Sequence, residues 1–204
     1  MREISPAENL TVDEFLQAAP LQTKKLAEKI RASKQSGNRP VPSTKLIDRS
    51  TLLSSVERLK LLDKVALLVD ENLFGRSEMC IQFSILLNRA LVYIGVPSRA
   101  VAGTAMYYKS GREIFRWNHA WVRIDSEVVD GNVDILSENP MVPDTVCVDP
   151  YWGPITRVPP DRRLRENRNQ SLPQDTDVEK YWWPDLKTFV DIELIQGHSI
   201  ITGK

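Results

Sequence analysis

The sequence predicts an α+β protein, with helices in its first half and antiparallel strands in its second. Two observations carry this. Apolar residues recur at helical spacing as far as Gly95, and beyond Pro97 the period falls to two in stretches rich in aromatic and β-branched residues. Thr11 and Glu14 form a capping-box pair in Thr11-Val12-Asp13-Glu14 and open a segment that Pro20 divides before it continues to about Ser33. Gln35 to Ser43 is a loop by composition. A second amphipathic helix is expected from about Ser50 to Phe74, with Leu52, Val56, Leu59, Leu62 and Leu67 among its apolar positions. A third should begin near Ser77 and end at Gly95, a natural C′ residue ahead of Val96-Pro97. Arg99 to Tyr108 and Glu113 to Asp125 read as strands, joined by a hairpin turn at Lys109-Ser110-Gly111. Ser126 to Asp144 reads mostly as a long loop. Thr145 to Val148 reads as a short strand closed by Asp149-Pro150, Pro154 to Asp185 as irregular, and Phe189 to Ile195 as a last strand. Residues 1–74 are expected to form a helical region packed on a core made by 75–204, together one structural domain without internal repeats.

Composition narrows the function. The chain has 204 residues, 42% of them apolar, enough for one real core. Its 27 basic side chains balance 27 acidic ones, so no long-range field draws it to nucleic acid or an anionic membrane. The longest apolar candidate, Ser84 to Val96, is interrupted by Asn88 and Arg89 and falls short of the roughly 18 residues of a membrane span. The N-terminal residues lack the apolar stretch of a signal peptide, and two cysteines make no disulfide framework, so a cytoplasmic location is expected, with signal-less export as an alternative. No phosphate-binding glycine loop or dinucleotide fingerprint is present, and Cys80, His119, Cys147 and His198 lack zinc-ligand spacing, so no cofactor or metal is expected.

Cys80, in Ser77-Glu78-Met79-Cys80, falls in the first turn of the third helix. Free N–H groups and the positive end of the helix dipole favour thiolate there, and can stabilise an oxyanion when sulfur attacks a carbonyl. The competing reading is a core cysteine, since Phe83, Leu87, Leu91 and Ile94 share its face. His119, in Trp117-Asn118-His119-Ala120-Trp121, alternates with Ala120, Val122 and Ile124 and so projects from the other face of its strand. If the Thr145 to Val148 strand pairs with it, Asp149 emerges beside the imidazole and can hold one ring nitrogen while the other faces a thiol. The competing reading is an ordinary sheet histidine with an acidic neighbour. Cys147 shares the strand face of Asp149 and is a weaker nucleophile candidate, lacking a helix dipole.

The stretch from Gly75 to Gly103, with Cys80 heading a helix that ends in Gly95-Val96-Pro97-Ser98-Arg99-Ala100-Val101-Ala102-Gly103, resembles the transglutaminase-like superfamily. His119-Ala120-Trp121 and Asp149-Pro150 match that family's next two blocks in order and approximate spacing, so the resemblance covers about Gly75 to Pro150. It implies a papain-like α+β fold with Cys80 as nucleophile, His119 as general base and Asp149 as orienting acid. Glu78 replaces the family's usual glycine and Arg123 a common glutamate, and the longer interval after His119 leaves Asp130 and Asp134 as rival third members. No tryptophan shortly precedes Cys80, which leaves Gln82 as a weak oxyanion-hole candidate.

The expected function is therefore a cysteine-dependent acyl transfer on amide bonds through a thioester, to water (peptidase or glutamine deamidase) or to an amine (transglutaminase). The substrate is a polypeptide or another amide or acyl compound. Trp117, Trp121 and Trp152 are candidates for a partly dry substrate cleft, although Trp152 also suits the core. Arg157, Arg162, Arg163, Arg165 and Arg168 read as a solvated loop paired with Asp161 and Glu166. The rival from another class is an inactive transglutaminase-like binding module, with Glu78 and Arg123 as its supporting features.

Overall fold

The computed structural model describes residues 20–72, 74–167, 172 and 174–196. The chain divides into two compact units, Met1–Arg39 and Pro40–Lys204. The first holds helix α1 (Leu21–Gln35), which starts directly after the dividing proline, Pro20. The Thr11–Glu14 capping box lies outside the described residues. The second unit holds every other element among the described residues, including helix α2 (Ser55–Val69). No helix among the described residues is long and apolar enough to cross a membrane.

The second unit is α+β. Strands β1 (Ile47–Asp48), β2 (Arg99–Lys109), β3 (Arg112–Ile124), β4 (Glu127–Asp130), β5 (Tyr151–Pro154) and β6 (Arg162–Glu166) form one sheet in the order β1-β5-β4-β3-β2-β6. All neighbours are antiparallel except β1 and β5, which makes the sheet mixed. The β2–β3 hairpin turns at Ser110 and Gly111, both at positive φ (52° and 75°), as a two-residue type I′ turn requires.

Helix α2 begins with a complete capping box: Ser54 Oγ accepts from the Glu57 N–H at 3.2 Å, and the Glu57 carboxylate accepts from the Ser54 N–H at 2.6 Å. Helix α3 (Cys80–Tyr93) ends in a Schellman motif, with Gly95 at φ 84° and the Val96 N–H donating to the Leu91 carbonyl at 2.8 Å. Leu62 and Val65 of α2, Phe83, Leu86 and Leu87 of α3, and Leu186 and Val190 of helix α4 (Trp183–Val190) pack with Val122, Ile124, Val129 and Trp152 on one face of the sheet. Each such buried side chain contributes about 1.5–3 kcal/mol. The opposite face is covered by Val133, Leu136, Val142, Val146 and Val148, which pack on Ala105 and Tyr107.

Three expectations are corrected. Within the presumed loop after Ser126 lies β4, whose four residues are all buried and so show no alternation to read. Thr145 to Val148 forms no strand; it is an irregular segment that lays Val146 and Val148 on the sheet. Phe189 to Ile195 is helical, because Val178, Trp182, Leu186, Val190 and Leu194 recur every four residues and bury one continuous stripe through two π-helical turns flanking α4.

Candidate active site

Cys80 is the first residue of α3, and Met79 before it provides no side-chain hydrogen bond to the helix start. The free first-turn N–H groups therefore remain directed at whatever lies ahead of the helix. His119 and Trp121 lie on the sheet face opposite Ala120, Val122 and Ile124, as alternation predicts, with the two rings 6.1 Å apart. Gly103 faces His119 across the β2–β3 ladder, and a Cβ there would stand 2.1 Å from the Arg165 carbonyl oxygen. Only glycine lets three strands close up beside the imidazole.

The carboxylate on His119 is Asp130. Its Oδ1 lies 2.7 Å from Nε2, with both side chains at most 1% exposed. Asp130 ends β4, and Gly131 then turns the chain where a Cβ would come within 2.9 Å of Leu62 and Phe83. Asp149 makes no hydrogen bond to His119. Its expected position depended on a strand at Thr145 to Val148; β4 occupies the place beside β3 instead, and the Asp149 carbonyl accepts from Arg162 Nη2 at 2.5 Å. Asp134, the other rival, binds elsewhere: it takes both terminal nitrogens of the fully buried Arg76, at 2.5 and 2.6 Å.

Arg162, read from sequence as part of a solvated loop, is wholly buried on β6. Its guanidinium bonds Asp130 Oδ2 at 2.9 Å and Asp161 at 2.9 Å, besides the Asp149 carbonyl. Asp130 is thus clamped between a histidine and an arginine. Burial works to raise its carboxyl value, but the His119 and Arg162 charges and hydrogen bonds outweigh it and hold the group below the carboxylate range. Burial likewise opposes a charged His119, yet Asp130, with help from Cys80, pushes the imidazole up to about 10. Burial alone would push the Cys80 thiol up; the His119 ring and the backbone N–H groups of Ala120 and Ile81 bring it below the ordinary 9.0. These directions favour the thiolate–imidazolium form of the pair over the neutral one. Nδ1 of His119 is buried and without a hydrogen bond of normal geometry, and the Cys80 sulfur acts on the same ring.

Arg76 braces the approach to Cys80. It bonds Asp70 at its backbone N–H and side chain, Asp134, and the Pro40 carbonyl, while Asn132 Nδ2 returns a bond to the Arg76 carbonyl at 2.9 Å. One guanidinium therefore joins the loop leading into Cys80 to the turn leading out of Asp130. Tyr107, also unforeseen, is fully buried with its hydroxyl unpartnered, and burial and the Asp130 charge raise its phenol well above the usual range.

The remaining candidates separate. Gln82 lies two residues past Cys80, about 200° around the helix, and its amide donates to Asp175 at 2.9 Å, so it is no oxyanion donor in this arrangement. Trp152 sits in the main core, on the helix side of the sheet, and lines no cleft. Trp121 is buried beside His119. Trp117 packs at the edge of the second cluster with its indole N–H buried and unpartnered. Glu78 turns outward, accepting from Asn139 Nδ2 at 3.1 Å, and Arg123 donates to the Asp125 carbonyl at 3.0 Å. Cys147 is an exposed free thiol in the irregular segment. Among the described residues no group of three or more His, Cys, Asp or Glu side chains could hold a metal ion.

Comparison of the chain with protein-family models, with curated proteins and with solved structures returns no match.

Proposed function

We propose that the chain is a cysteine-dependent acyl-transfer enzyme with a papain-like, transglutaminase-like core, in which Cys80 is the nucleophile, His119 the general acid and base, and Asp130 the orienting carboxylate. The observation that carries this reading is the buried Asp130–His119 bond beside a thiol that the same imidazole draws toward ionisation. An ordinary core cysteine is inert and shifted upward by burial; Cys80 is shifted the other way.

The chemistry follows from the geometry. The thiolate attacks the acyl carbon of an amide, and the oxygen that gains charge is met by uncapped N–H groups of the first turn of α3. Nε2 is occupied by Asp130, so Nδ1 is the nitrogen free to carry the proton to the departing amine or ammonia. His119 then takes a proton from water or from an amine, which attacks the thioester and restores the thiol. Asp130, ionised throughout, fixes the ring and stabilises its charge.

The test is alkylation of the thiol by iodoacetamide as a function of pH, in wild type, Cys80→Ala, Cys147→Ala and His119→Ala proteins. Cys80 should titrate below the ordinary thiol value, and His119→Ala should return it upward, above about 8.5. An inert Cys80, or one indifferent to His119, would turn the assignment to the inactive binding module.

A further inference from the structure

The arginine-rich strand β6 serves two purposes on its two faces. Arg162 points into the site, whereas Arg163 and Arg165 point out. Antiparallel pairing sets them in cross-strand rows with exposed or half-exposed neighbours: Arg165 with Thr104 and Asn118, and Arg163 with Met106 and Arg116. This is the sheet face on which α3 packs. The helix covers it as far as Ala120, whose N–H acts on the Cys80 sulfur, and Asn118 is the next residue on that face. A bare shelf of three strands therefore begins where the nucleophile stands.

The shelf is positively charged by arithmetic of pairs. Glu166 is bound by Arg99, Glu113 by Arg116 and Asp161 by Arg162, so the local carboxylates are committed. Among the described residues Arg163 and Arg165 have no carboxylate partner; Arg163 lies over the Tyr108 ring at 5.1 Å. Two exposed guanidiniums lacking counter-charges beside a nucleophile are suited to bind anions bidentately.

We infer that the shelf formed by Arg163, Arg165, Thr104 and Asn118 is a substrate-binding surface for a peptide that carries acidic residues near its reactive amide. Strands lie about 4.8 Å apart, which puts the β6 arginines about 10 Å from β3, a span of roughly three residues of extended peptide. The inference rests on the proposed acyl transfer for the role of Cys80, while the binding it claims needs no turnover.

Binding can be read by fluorescence anisotropy with full-length Cys80→Ala protein and two dye-labelled octapeptides containing a central glutamine, one flanked by Asp and Glu, the other by Ser and Gly. The acidic peptide should bind about tenfold more tightly at low salt, and the preference should shrink at 0.3 M salt as the Debye length shortens below about 8 Å. Arg163→Glu with Arg165→Glu should remove the preference and leave the neutral peptide unchanged, and Lys45→Glu, exposed elsewhere, should change neither. Equal binding of the two peptides, or preference surviving the double reversal, overturns the inference, as does a single-stranded oligonucleotide that outcompetes the acidic peptide through the same arginines. Acidic preference in a protein whose wild type turns over no amide would sink the acyl-transfer reading and leave the surface standing; amide turnover without acidic preference would do the reverse.

Discussion

Helices α2 and α3 lie in one core yet begin in opposite ways. At α2 the entering residue Ser54 is extended (φ −76°, ψ 157°) and its hydroxyl satisfies a first-turn N–H. At α3 Met79 stands at φ −100°, ψ 29°, bonds nothing with its side chain, and hands over to a cysteine. A cap is worth about 1 kcal/mol, and α3 forgoes it. The Ile81 N–H of its first turn acts on the Cys80 sulfur instead, and under the proposed acyl transfer that turn would serve developing charge, whereas the first turn of α2 is spent on stability.

The comparison can be broken most sharply at Cys80. Cys80→Ala should abolish amide turnover, by roughly 10³-fold or more, with a thermal midpoint close to wild type. Next in size, Asp130→Asn should cost roughly 10²–10⁴-fold in rate, since it releases the imidazole and its charge, while Asp149→Asn should leave the rate within about threefold. Equal losses from the two would return Asp149 to the site. At α2, Ser54→Ala should lower stability by about 1 kcal/mol, read by urea denaturation, and leave turnover untouched. Smallest of all, Met79→Ser should change stability by less than about 0.5 kcal/mol, because a backbone at ψ 29° does not present a hydroxyl as the extended Ser54 does.

The pH dependence has a defined sign. His119 is raised from 6.5 to about 10, so its contribution to stability is full below 6.5 and is lost as pH rises through about 10. Asp130 is depressed from 3.8, so its contribution is present above 3.8 and is lost as pH falls through its lower folded value. Thermal midpoints should accordingly fall off on both sides of a plateau, and His119→Gln should remove most of the loss on the alkaline side.

The sequence displayed the elements whose signals are local. The β2–β3 hairpin combines a period of two with a turn that tolerates positive φ, and α3 carries its own stop in Gly95. Cys80 and His119 were legible because each has a distinctive place, a helix start and a strand face. Asp130 was legible only as a rival to Asp149, because its strand is four residues long and buried throughout; the adjacent Val128 and Val129 were its only β signal. Arg162 was hidden by its neighbours, since five arginines in one segment average to a solvated surface and only alternation along β6 separates the inward one from the outward two. The C-terminal helix was misread from the β-branched content of Phe189 to Ile195, where the spacing of four from Val178 to Leu194 was the better guide.

The hairpin tip at Ser110-Gly111 has a consequence for how the protein can be divided. It is exposed, and it separates the segment that supplies Cys80 from the segment that supplies His119, Asp130 and Arg162. Such tips tolerate a break in the chain best. Two fragments meeting there would divide Cys80 from His119, Asp130 and Arg162, and under the proposed acyl transfer activity would return only when β2 and β3 zip together, making this fold a natural template for a reporter of molecular proximity.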